Sequence, residues 1–156
     1  MSICAVLRRI ESAKLAEVRK KPRRTRALVE NDEREDSLVL EYGYDTLQCL
    51  LAGALEGGHP SLRDVILGGV EIGPEIGYGP ARFVEPVRVL EISRALESLR
   101  WEDVRSRGRS LPSSSLSAGA PGTDEEWEMI RQGFEQVRKL YGRAAVRGNA
   151  MMLYLA

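Results

Sequence analysis

The chain opens on SICAVLR, in which Ile3, Ala5 and Leu7 alternate with Cys4 and Val6. Period-two alternation with apolar residues on both sides predicts a strand buried on both faces. AMMLYLA, from Ala150 to Ala156, reads the same way. Two apolar terminal strands are best hidden when paired at the centre of a small sheet, which also ties down the chain ends.

Between the two strands the period is mostly helical. Glu11 to Lys20 forms a short amphipathic run that Pro22 stops, because proline disfavours helical geometry in the residue before it. Tyr44, Leu47, Leu51 and Leu55 fall on one stripe, with Gly57 and Gly58 as the expected terminator. Val89, Ile92, Leu96 and Leu99 mark another, with Pro86 at the first helical position and Glu85 as a mediocre cap. The clearest helix runs from Asp124 to about Arg147, where Trp127, Ile130, Phe134, Val137, Tyr141 and Ala144 recur at steps of three and four. Thr123 and Glu126 have capping-box spacing, and Gly148 is a natural stop. Gly133 and Gly142 inside this helix each cost up to about 1 kcal/mol of propensity, so a neighbour packing closely on them is the expected compensation. Helices around a small sheet with both termini in it make an α+β fold.

Two segments break these periods. Arg107 to Gly122, RGRSLPSSSLSAGAPG, contains five serines and two prolines with almost nothing to bury, and reads as a mobile surface loop. Leu67 to Phe83, LGGVEIGPEIGYGPARF, places glycines at 68, 69, 73, 77 and 79 and prolines at 74 and 80 between apolar flanks. Glycine permits positive φ and proline fixes φ near −65°, so such a stretch suits a chain crossing the core in tight turns. Val70, Ile72, Ile76, Tyr78 and Phe83 would pin it to the core, leaving Glu71 and Glu75 in water.

Length and composition narrow the picture. The 156 residues suit one domain with a single core, and 43% hydrophobic with 29% charged residues is a globular composition. The 23 basic and 23 acidic side chains cancel, so the general footprint of a nucleic-acid binder is missing. One local exception is RKKPRRTR, Arg19 to Arg26, with six cations in eight residues, but the acidic ENDERED follows from Glu30 to Asp36 and offsets it. Nucleic acid is thus not the expected partner. Cys4 and Cys49 lie in apolar sequence without a CxxC partner, as buried thiols of a reducing compartment do; a disulfide between them stays open. There is no signal-peptide pattern and no stretch near the ~18 apolar residues of a membrane span, so the expected location is cytoplasmic, with no membrane association.

Familiar chemistry is mostly absent. The single histidine, His59, lies in the turn GGHP, which rules out HExxH and multi-histidine zinc sites. Neither GxxxxGK[ST] nor GxGxxG occurs, so no nucleotide cofactor is expected. SLSAG, Ser115 to Gly119, differs from the GxSxG elbow at its first glycine and sits in a loop. Cys49 is surrounded by leucines that would raise its pKa rather than lower it. What remains is a candidate group of Glu71, Glu75, Tyr78 and Arg82, with Tyr44 and Asp45 as neighbours. Paired carboxylates there would serve acid–base work or hold a divalent metal. Architecture is the simpler account of the glycines.

LGGVEIGPEIGYGPARFVEPVRVLEISRAL also resembles the most recognisable block of the YfbM-like family, small bacterial proteins of unknown function, whose pattern is close to LGGxxIGxxxGYGPARxLTPxEV followed by a helix. YDTLQCLLAG is similar to that family's WHxLHxLLTG-like segment, with Tyr44 at the tryptophan and Asp45 and Gln48 at the histidines, and Glu85 stands where the family has a threonine. The likeness extends over nearly the whole chain. It implies an α+β fold and brings no established activity. The expectation from all this is a non-catalytic domain acting on a protein partner, in a regulatory or toxin-neutralising role. The alternative is a small-ligand or metal-binding protein, or an enzyme, that uses residues 67 to 83.

Overall fold

The computed structural model describes residues 2–31, 37–53, 58–112 and 116–156. Five strands form one antiparallel sheet: β1 (Ala5–Ile10), β2 (Ser37–Leu40), β3 (Val70–Glu75), β4 (Pro80–Val84) and β5 (Ala150–Leu155), in the spatial order β2-β1-β5-β4-β3. The terminal strands pair with each other, Ala5 opposite Leu155 and Ile10 opposite Ala150, and β5 occupies the middle of the sheet. Reciprocal backbone hydrogen bonds of 2.9 Å between Cys4 and Ala156 close the ladder at the chain ends.

Alternation along the strands feeds two apolar layers. Ala5, Leu7, Met151, Leu153 and Val84 face the larger one, which is completed by α3 (Tyr44–Ala52), α4 (Pro86–Ser98) and α6 (Asp124–Val146). Ile10, Ala150, Met152, Ala81 and Phe83 face the smaller one, with Leu15 and Val18 of α1 (Ser12–Lys20) and the partly buried Leu28 and Val29 of α2 (Thr25–Glu30). A sheet covered on both faces explains why both terminal strands are apolar nearly throughout.

The expected helices form, with differences at their ends. In α6 the capping box is complete: the Thr123 hydroxyl accepts from the Glu126 N–H, and the Glu126 carboxylate accepts from the Thr123 N–H. Gly133 is packed as expected, since a Cβ there would lie 3.4 Å from Leu40 and 3.5 Å from Leu47. Gly142 is not, as nothing lies within 4 Å of that position. The helix headed by Tyr44 ends earlier than its pattern implies, because Gly53, at φ 85°, turns the chain. Leu55 and Gly57 lie outside the described residues. Glu85 makes no side-chain cap bond to α4. Among the described residues, no helix is long and apolar enough to cross a membrane.

The glycine-rich stretch is a β-hairpin, β3 to β4, rather than a loop over the core. Val70 pairs with Phe83 and Glu75 with Pro80, with a shift in register between Glu71 and Glu75. Phe83 is buried, whereas Val70 and Tyr78 are exposed, so only part of the expected pinning occurs. The cause is position, because β3 is an edge strand with no further strand beyond it among the described residues. That edge is blunted. Pro74 removes a donor, the Thr25 hydroxyl donates to the Ile72 carbonyl at 3.3 Å, and Arg26 donates to the Glu75 carbonyl at 3.3 Å. Gly73, at φ 96°, permits this approach, since a Cβ there would lie 2.6 Å from the Pro22 carbonyl oxygen.

Candidate functional site

The sequence-derived candidates divide between two places. Glu71 and Arg82 meet across the hairpin, Nη2 to Oε1 at 3.3 Å, with Glu71 exposed and Arg82 half-buried. Glu75 and Tyr78 are exposed near the hairpin turn. Tyr44 and Asp45 belong to the head of α3, against residues 116–119. Among the described residues, no group of three or more histidine, cysteine, aspartate or glutamate side chains is placed to hold a metal ion.

All nine residues of α3 are buried, and its polar side chains are therefore each committed to a partner. The Asp45 carboxylate accepts from the Ser117 N–H at 2.6 Å, the Ser117 hydroxyl at 2.9 Å and the Thr46 N–H at 2.9 Å. Thr46 donates to the Gly119 carbonyl at 3.3 Å. Gln48 is fully buried: its amide donates to the Leu62 carbonyl at 3.1 Å and its oxygen accepts from the N–H groups of Ile66 and Leu67 at 2.8 and 3.1 Å. Arg107 closes the other end of the helix by donating to the carbonyls of Leu50 and Leu51, both at 2.9 Å. This helix is thus a peg from which two connections hang.

Consequences follow for residues weighed as nucleophiles. The Ser117 hydroxyl donates its hydrogen bond to Asp45, and His59 is an exposed turn residue whose Nδ1 accepts from the Ser61 N–H at 3.3 Å. Both cysteines are free thiols; burial, and then the Asp45 charge, push the Cys49 thiol pKa up, which suits an inert core residue. Burial likewise raises the Tyr44 phenol, with Asp45 adding to the effect. The stretch from Arg107 to Gly122, expected as a mobile loop with almost nothing to bury, opens on a 3₁₀ turn over Arg107–Ser110, buries Leu116 and ties Ser117 to Asp45; residues 113–115 lie outside the described residues.

A more suggestive surface lies elsewhere. Helix α5 (Trp101–Ser106) and the head of α6 border an open groove of about 750 Å³, lined by Trp101 and Trp127 and by Arg105, Arg109 and Arg131, with Glu102 and Glu128 among its other walls. The two indoles meet edge to face at 6.3 Å, and Trp101 also lies 5.7 Å from the Phe134 ring, so the aromatic wall is rooted in the core. The Arg105 guanidinium sits 5.3 Å from the centre of the Trp127 ring. Gly108 makes room for that indole: a Cβ there would come within 2.5 Å of it. The arginines are only loosely neutralised, with Arg105 3.8 Å from Asp124 and Arg131 3.9 Å from Glu128.

Sequence reasoning placed Trp127 on a helix stripe and did not assemble this groove. The available signal was modest: both tryptophans of the chain, each one or two turns from an arginine on its own helix.

These features define an α+β protein with helices on both faces of a five-stranded antiparallel sheet and an open tryptophan–arginine groove at one end of its longest helix. The chain belongs to the family described as "Domain of unknown function (DUF1877)", whose model matches residues 1–154. Its fold is similar to that of YfbM from Escherichia coli, a protein of unknown function, with a TM-score of 0.74 over 98% of this chain and 99% of that one. The two are 16% identical, so this likeness concerns the fold alone. No curated protein matches the sequence.

Proposed function

We propose that this chain is a non-catalytic protein that acts by binding another protein, and that the groove between α5 and the head of α6 is its recognition surface. The observation that carries this reading is the lining: two tryptophans fixed by the core beside three arginines. Tryptophan and arginine dominate the residues that hold interfaces together, because each presents a large, weakly hydrated surface with directed donors. The setting is cytoplasmic and reducing, which suits free thiols at Cys4 and Cys49. The role is regulatory, of which toxin neutralisation is one form.

A small-ligand or metal site at Glu71, Glu75, Tyr78 and Arg82 has only the exposed Glu71–Arg82 contact in its favour. The side chains of Tyr44 and Asp45 are occupied in holding residues 116–119, which gives them a positioning role.

The test compares the wild type with an Arg109→Glu/Arg131→Glu variant. Proteins retained from a lysate of the source organism are identified, and the affinity of the principal one is then measured against both chains by calorimetry. The expected result is at least a tenfold loss of affinity in the variant, about 1.4 kcal/mol, with unchanged melting. Equal affinity for both chains, or nothing retained by the wild type, refutes the proposal.

A further inference from the structure

We infer that the exposed ridge of α6 is a self-complementary surface on which a second copy of this chain docks antiparallel. Steps of three and four align Glu128, Gln132, Glu135, Lys139, Gly142, Arg143 and Val146 along one side of this helix, away from the buried stripe of Ile130, Phe134, Val137 and Tyr141. The ridge is electrically divided. Its first half carries Glu128 and Glu135, with Arg131 3.9 Å from Glu128 on its flank, and its second half carries Lys139, Arg143 and Arg147.

Two features of the basic half have no use in a single chain. Val146 is 89% exposed, the most exposed large hydrophobic residue among those described. Beside it Gly142 opens onto empty space, at a cost in helix propensity that no neighbour offsets. Together with Lys139, Arg143 and Arg147 they line a shallow depression of about 490 Å³.

A two-fold axis set between Glu135 and Lys139 satisfies all of these at once, because in such an interface residue i meets residue j and j meets i. Glu135 then faces Lys139 of the partner subunit, and Lys139 faces the partner's Glu135. Gln132 falls opposite the partner's Gly142, where the missing side chain lets the helices approach. Glu128 falls opposite the partner's Val146, beside the partner's Arg147. Charge complementarity therefore selects a second copy of this chain, in antiparallel register, as the occupant. A contact made by one helix from each copy is small, so the dimer forms reversibly.

The ridge shares Glu128 with the wall of the groove at the head of α6, and the test uses Glu135 and Lys139, which lie outside that groove. The proposal is tested by sedimentation equilibrium of the full chain at low salt, with Glu135→Lys and Lys139→Glu made singly and circular dichroism used to confirm that each folds. The wild type should dimerise, and each single variant should weaken dimerisation at least tenfold. An equimolar mixture of the two variants should form heterodimers about as tight as the wild type, because every juxtaposed pair is then again of opposite sign. A wild type that stays monomeric up to millimolar protein overturns the proposal. So does a dimer indifferent to both substitutions, or a mixture that fails to restore association; the last outcome would mean that the charges serve only the helix dipole.

Discussion

Tyr141 shows how one buried side chain couples the long helix to the connection before β3. Its ring is fully buried, and its hydroxyl donates to the Val65 carbonyl at 2.6 Å. Burial first, and the Asp64 charge second, push its pKa far above the ordinary phenol value. A raised folded-state pKa means that the native state keeps its proton while the unfolded chain loses one, so this contribution to stability is complete below about pH 10 and declines above it. Tyr141→Phe should cost about 1–3 kcal/mol at neutral pH, because the Val65 carbonyl is left without its donor. The gap from the wild type should then narrow by about 1.4 kcal/mol per pH unit above about pH 10. Urea midpoints of both proteins measured from neutral to alkaline pH check this, and a gap constant across that range would contradict it. Gln48 belongs to the same scale. Its type was visible in the sequence, but that one amide serves three backbone groups from residues 62 to 67 depends on a connection that lies far along the chain.

At the scale of elements, glycines separate into those that geometry demands and those it does not. Gly73→Ala should destabilise by about 2 kcal/mol or more, since an L residue is strained at φ 96° and the new methyl meets the Pro22 carbonyl. Gly142→Ala in dilute protein should stabilise by up to about 1 kcal/mol, as the position is helical and open. Opposite shifts in urea midpoint are expected, and shifts of the same sign would mean that one of the two environments is misassigned. The basic run at residues 19 to 26 takes its meaning at this scale too. In the sequence it is a local cluster of cations offset by the acidic run that follows, and in the fold its backbone forms the end of α1, a 3₁₀ turn over Pro22–Arg24 and the start of α2, folded across the edge of β3. Arg24 pairs with Glu17, Arg19 lies 3.7 Å from Glu85, and Arg26 reaches the Glu75 carbonyl. Three of the six charges are thus engaged locally, while the backbone and Thr25 guard a strand edge.

For the whole molecule, the decisive feature is that the last strand is the central one. β5 pairs with β1 on one side and β4 on the other, and contributes Met151 and Leu153 to one apolar layer and Ala150 and Met152 to the other. Deletion of residues 150–156 should therefore abolish cooperative unfolding rather than merely lower the midpoint. Near-ultraviolet circular dichroism and a urea titration would show this, and a sigmoidal transition with native-like ring signals in the truncated chain would disprove it. Because β1 and β5 are separated by about 140 residues, the sheet closes only once residues 150–155 are available.

The sequence by itself determined what depends on near neighbours: the helix periods, the capping box at Thr123 and Glu126, the proline start of α4, and two terminal strands apolar on both faces, which therefore had to lie inside a covered sheet. The family was also legible, because the glycine–proline block is specific. Tertiary structure alone decided which strand became an edge, and hence that residues 70 to 84 form a hairpin with Tyr78 and Val70 outside. It also decided that Asp45 and Gln48 hold distant connections, and that Trp101 and Trp127 meet beside three arginines. Periodicity reports which face of an element is apolar, but not which element will cover that face. The groove and the pegs are made of contacts between residues that share no local pattern.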